Sequence, residues 1–312
     1  MNKKNIQKFC LLGAKIGDSL SPAIHDFVFK RDGIDASYEI LDIPETLINK
    51  EYLSQLAQDY RGFNVTIPYK KTIFSLLENR SELANLTGSV NTVDIQNGSK
   101  LTGYNTDITG IEKGFLAPLS KIMLLQPKII LLGGGGAARS MIYAFLHAHQ
   151  YIKSENTREI IVFLRNPLKG SDLEELLFSI LNSPGFNKFE ATLRVYLWDE
   201  NKIADTLKYG GIIVNATPIG SISSDEELAF DFEKSGIDGS GIAAFDMVYN
   251  PSLTPFLESA SCVNATCLGG LGMLVYQALG SLEIWFQRKF SDKGIFEMLL
   301  DKGYYQLKKT EA

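Results

Sequence analysis

Apolar runs of five to nine residues recur along the chain, each ending in a polar or glycine-bearing tip. The clearest is KIILLGGGGAARS, Lys128 to Ser140. KIILL is apolar without alternation, the pattern of a strand covered on both faces of a parallel sheet. AARSMIYAFLHAH follows, with good helix formers and apolar residues at helical spacing. Gly133-Gly134-Gly135-Gly136-Ala137-Ala138 lies between them and fits G-x-G-x-x-A, with Gly133, Gly135 and Ala138 in the fingerprint places. The first glycine makes the tight turn, the second lets the backbone approach a pyrophosphate, and the small third residue lets helix and strand pack closely. The helix N-terminus then offers N–H groups to phosphates. The unit predicts a dinucleotide site, against the plainer reading of a glycine-rich turn in an unrelated strand–helix unit.

The next apolar run, EIIVFLRNP (Glu159 to Pro167), ends in Leu164-Arg165-Asn166. NAD-specific folds commonly place an acidic residue here to hold the ribose 2′-OH. Arg165 can instead pair with a 2′-phosphate, and Lys169 can add charge. This favours NADP and leaves NAD open, with Asp172 or Glu174 folding back as the route to NAD. GGIIVNATPIG (Gly210 to Gly220) and GIAAFDMVYN (Gly241 to Asn250) read as further buried strands with polar ends. The first hundred residues alternate strands and polar tips. Pro22 suits a first helical turn, with Ser21 as its cap. Asn97-Gly98 signals a hairpin, and DITGIEKGF, from Asp107, reads as a helix joining two domains.

Composition narrows the class. The 312 residues suit two domains, and the 45% hydrophobic and 21% charged content is that of a soluble globular protein. A net charge of -5 offers no electrostatic case for nucleic acid or an anionic membrane. No apolar run reaches the ~18 residues of a transmembrane helix. Three cysteines without paired spacing point to a reduced, cytoplasmic protein. The three histidines form no metal-ligand pattern.

Eight segments in order, GDSLSPAIHD, GFNVTIPYKK, GSVNTV, GYNTD, LLGGGGAARS, VNATPIG, DMVYNPSLTPFL and GGLGMLVYQAL, span most of the chain and resemble the shikimate dehydrogenases, including the quinate/shikimate branch. The resemblance implies a two-domain α/β fold, with an N-terminal substrate domain (1–107, completed by 268–312) and a Rossmann-like doubly wound dinucleotide-binding domain (108–267) facing it across a cleft. It implies reversible reduction of 3-dehydroshikimate to shikimate with NADP or NAD, by a monomer or homodimer. Lys70 and Asp107 become the catalytic pair: reduction of a ketone makes an alkoxide-like oxygen, which a lysine beside a carboxylate can stabilise and protonate. Motif register selects Lys70 over its neighbour Lys71. Ser19 and Ser21 correspond to the hydroxyls that hold the substrate carboxylate. Thr66, Asn91, Tyr249 and Gln277 complete a polar pocket for a ring with three hydroxyls. Thr217, Gly270 and Met273 join Gly133–Ala138 and Arg165 at the cofactor, although core packing is the general expectation for a methionine.

The chain departs from the family pattern at Gly269, where relatives often carry an acidic or polar residue, and in long stretches around the second cofactor strand. Those lengths resemble the quinate/shikimate branch, but Pro167 stands where that branch often has an acidic residue. Quinate use stays open. The alternatives are a non-catalytic NADP-binding sensor on this scaffold and a related two-domain oxidoreductase acting on an aminoshikimate or a folate.

Overall fold

The computed structural model describes residues 6–119, 126–149, 157–166, 170–186, 190–226 and 228–303. Pro167 and Lys169 lie outside the described residues. One compact unit takes the chain up to Gly110 and again Val275–Ile295; the other takes Ile111–Leu274 and the chain from Phe296.

The first unit is built on a mixed sheet of β1 (Gln7–Gly13), β2 (Ala36–Asp42), β3 (Gly62–Val65), β4 (Asn79–Arg80), β5 (Thr92–Gln96) and β6 (Lys100–Tyr104). Its order is β2-β1-β3-β5-β6-β4, with β3, β5 and β6 antiparallel. Asn97 and Gly98 turn β5 into β6 with φ of 52° and 68°, the left-handed pair that matches strand twist in a tight hairpin. Cys10, Leu12, Phe63, Val65, Ile73 and Val93 lie in the core on one side of this sheet.

The second unit carries β7 (Lys128–Leu132), β8 (Arg158–Leu164), β9 (Ala191–Leu197), β10 (Gly211–Asn215), β11 (Ile242–Asp246) and β12 (Thr266–Leu268). All pairs are parallel and the order is β12-β11-β10-β7-β8-β9. This is the doubly wound order, and its direction reverses between β7 and β10, where open α/β sheets form their ligand crevice. The helix from Asp107 to Ile111 passes into a π-helical turn, Glu112–Leu116. There Gly114 lies against the main chain of Gly272 and Met273, so closely that a side chain at 114 would collide with it.

Cys10, Cys262 and Cys267 form no disulfide. Among the described residues no helix is long and apolar enough to cross a membrane, and no cluster of three His, Cys, Asp or Glu could hold a metal ion.

Candidate functional site

In the first unit the chain leaves β3 and turns through Thr66–Tyr69, where the Tyr69 N–H donates to Thr66 O at 2.9 Å. Lys70 is the first residue of the helix that follows. Its Nζ donates to Asp107 Oδ2 at 2.6 Å, with side-chain exposures of 16% and 4%. Lys71 is exposed, so geometry as well as motif register separates the two lysines. Asp107 opens the helix after β6, where a carboxylate also suits the first turn.

The other Asp107 oxygen accepts from Asn91 Nδ2 at 2.8 Å. Asn91 Nδ2 also reaches Thr106 Oγ1 (2.9 Å) and Gln277 Oε1 (3.3 Å), while its Oδ1 accepts from Thr106 N at 2.7 Å. Behind it, the hydroxyls of Thr92 and Ser281 lie 2.8 Å apart, and Asn64 Nδ2 donates to both. Tyr38 Oη closes the chain on Asn64 Oδ1 at 2.8 Å. A buried network so connected fixes the side chains it contains. Here it fixes the carboxylate that holds Lys70. Sequence reading missed Asn64, Thr92, Thr106 and Ser281; their signal was the run of small polar residues inside otherwise apolar segments.

Ser19 and Ser21 sit together, Ser19 Oγ donating to Ser21 Oγ at 3.2 Å. The loop before them is anchored by Asp42, whose carboxylate accepts from the N–H groups of Lys15 and Ile16. Ser21 is not the helix cap: Leu20 occupies that position and the end has no side-chain cap bond. The Ser21 hydroxyl is the side chain of the first helical residue, and its carbonyl accepts from Nδ1 of His25 at 2.8 Å. His25 is buried and stacked on Tyr38, and burial lowers its pKa to about 4. Thr66 is half-buried beside Gly13, where an added Cβ would come within 2.7 Å of its methyl group. The structure thus gathers Lys70, Asp107, Asn91 and Gln277 into one bonded group, with Ser19 and Ser21 paired separately.

In the second unit, Gly133 carries a φ of 102° and a Cβ there would meet Thr217 at 2.8 Å. A Cβ at Gly134 would meet Leu164 at 2.8 Å, whereas one at Gly135 would meet nothing within 4 Å. The loop therefore presses Gly133 and Gly134 against protein and leaves open space over Gly135. Gly136 begins the helix, whose first-turn N–H groups lack intrahelical acceptors, and Ala138 is buried. Thr217 reaches the same crevice because Asn215 Oδ1 accepts from both its N–H and its hydroxyl. Asn215 is itself held by Asp246, a buried carboxyl whose pKa is pushed up to about 7 by desolvation.

Arg165, at the end of β8, forms a two-pronged ion pair with Glu226 and lies over the Trp198 ring at 5.5 Å. The hydrogen-bonded pair raises the arginine pKa and lowers that of the glutamate. The carboxylate that pairs with Arg165 comes from the loop after β10. Gly270 is a close-packing position, since a Cβ there would lie 2.5 Å from Met247 O. Met273 is buried. Tyr249 is half-buried in the loop after β11.

The profile of the shikimate dehydrogenase substrate binding domain matches residues 11–93. A shikimate dehydrogenase (NADP(+)) from Pelodictyon phaeoclathratiforme is 34% identical over 94% of this chain and 96% of its own. The chain belongs to the shikimate dehydrogenase family. Among solved structures, the family's enzyme from Aquifex aeolicus is similar with a TM-score of 0.76 at 25% identity, covering 96% of this chain and 99% of that one. The Thermus thermophilus enzyme, solved with NADP(H) and shikimate, gives 0.69 at 28% identity over 95% and 99%.

Proposed function

We propose that this family member catalyses the reversible NADP(H)-dependent reduction of 3-dehydroshikimate to shikimate, a step toward chorismate and the aromatic amino acids. The observation that carries the reading is the Lys70–Asp107 pair, 2.6 Å long and backed by Asn91. When bound, NADPH supplies the hydride to the carbonyl carbon. Lys70 stabilises the negative charge that develops on the substrate oxygen and delivers a proton from Nζ to it; in the oxidative direction it removes that proton. Asp107 keeps the Lys70 ammonium in place. Ser19 and Ser21 donate to the substrate carboxylate, and Thr66, Asn91, Gln277 and Tyr249 receive the ring hydroxyls.

The cofactor crevice fits a dinucleotide on its own geometry. The open space over Gly135 admits a pyrophosphate close to the backbone, and the helix N-terminus faces that space with N–H groups. Arg165 reads the 2′-phosphate and Thr217 lines the crevice; Gly270, packed on the main chain of Met247, and the buried Met273 contribute packing.

An initial-rate matrix of shikimate and quinate, each with NADP and NAD, tests the reading. Shikimate with NADP is expected to be the most efficient pair. Absence of shikimate turnover with either cofactor would overturn the assignment.

A further inference from the structure

Arg165 does not stand alone at the end of β8. Both terminal nitrogens of its guanidinium are taken by the two carboxylate oxygens of Glu226, in the fork geometry that also suits a phosphate. Glu226 is held at this place by its own main chain. Its carbonyl accepts from Gly220 N–H at 2.9 Å and from Ser224 Oγ at 2.9 Å, and its N–H donates to Ser224 Oγ at 3.1 Å. Gly220 closes the VNATPIG segment that carries Thr217, so the glutamate is fixed to the wall of the cofactor crevice. Trp198 lies under the guanidinium and keeps it at the strand end.

We propose that Glu226 is a specificity-determining residue: a tethered carboxylate that occupies the arginine fork and must yield it to the 2′-phosphate of NADP, so narrowing the preference for NADP over NAD. The inference rests on the reading of Arg165 as the 2′-phosphate ligand. Two anions cannot share the fork, and a 2′-phosphate reaching Arg165 competes with Glu226 for the same N–H donors. The two side chains are more than half exposed, and exposed pairs are weak. Phosphate therefore displaces the carboxylate, at a modest loss of affinity. NAD brings no phosphate, so it leaves the pair intact.

The test measures dissociation constants of NADP and NAD by calorimetry for the parent, Glu226→Gln, Arg165→Ala and the double variant. Glu226→Gln is expected to bind NADP about three- to fivefold more tightly with no gain for NAD. The gain should vanish in the Arg165→Ala background. Unchanged or weaker NADP binding in Glu226→Gln, equal tightening for both cofactors, or a gain that persists without Arg165 would each overturn the proposal. A parent whose NADP affinity is insensitive to Arg165→Ala would remove the underlying reading as well, and that result is seen without any Glu226 variant.

Discussion

At the scale of single residues, the site depends on side chains whose partners lie far off in the chain. Lys70 and Asp107 are separated by 37 positions, and nothing in spacing or periodicity joins them; only family motifs did so before the structure placed one on the other. The prediction is direct. Lys70→Ala and Asp107→Ala should each lower kcat by about 10²–10⁴ while the NADP dissociation constant holds. Near-normal kcat in both variants would remove the pair from catalysis. His25 gives a second residue-scale prediction. Its folded pKa, about 4, lies below the ordinary 6.5 because burial disfavours the charged ring. Between those values the unfolded chain binds a proton that the folded chain does not, so this contribution is present above pH 6.5 and is lost as pH falls toward 4. The stability advantage of the parent over His25→Phe should shrink by up to about 3 kcal/mol across that window. An advantage that is flat or grows on acidification in denaturant titrations would contradict it.

At the scale of elements, the features visible in the sequence are those built from neighbours in the chain. The KIILL strand, the glycine loop, the helix after it and the Asn97-Gly98 hairpin are all local, and their residues carry the turn chemistry themselves. What was not visible depends on tertiary partners. Ser21 has the chemistry of a cap, yet the helix begins one residue earlier in register, with Leu20 at the boundary. β9 reads weakly because it is an edge strand of mixed exposure. The partner of Arg165 arrives from a loop 61 residues downstream; the acidic run in SSDEE was its only trace. Within the glycine loop, neighbouring glycines serve different ends. Gly133 is needed for its backbone, so Gly133→Ala should destabilise the fold by about 1–3 kcal/mol. Gly135 faces open space, so Gly135→Val should leave the melting temperature near the parent value but weaken NADP binding by about tenfold or more, some 1.4 kcal/mol. Equal losses of stability in the two variants would mean that Gly135 is a folding glycine and not a binding one.

At the scale of the whole molecule, each unit has its own sheet and its own buried cluster. Cys10, Leu12, Phe63 and Val93 pack in one; Ile130, Leu132, Phe163 and Ile213 pack in the other. The divisions after Gly110 and Leu274 both fall inside helices, so no loop between elements marks them. Two cores of this kind can open separately, and in the proposed function the two ligands address different units: the groups proposed for the substrate carboxylate and hydroxyls lie mainly in the first, the glycine loop and Arg165 in the second. A ligand at 100 times its dissociation constant stabilises the state that binds it by about 2.7 kcal/mol, which slows exchange through opening of that state by roughly a hundredfold. Hydrogen exchange should therefore slow in β7, β8 and β10 when NADP alone is added, at amides such as those of Ile130, Val162 and Val214. Shikimate alone should slow β3 and β5, at Phe63 and Val93, and leave β8 near its unliganded rate. Uniform slowing of both sheets by either ligand would mean that the molecule opens as one cooperative body, and that the separate cores do not correspond to separate stabilities.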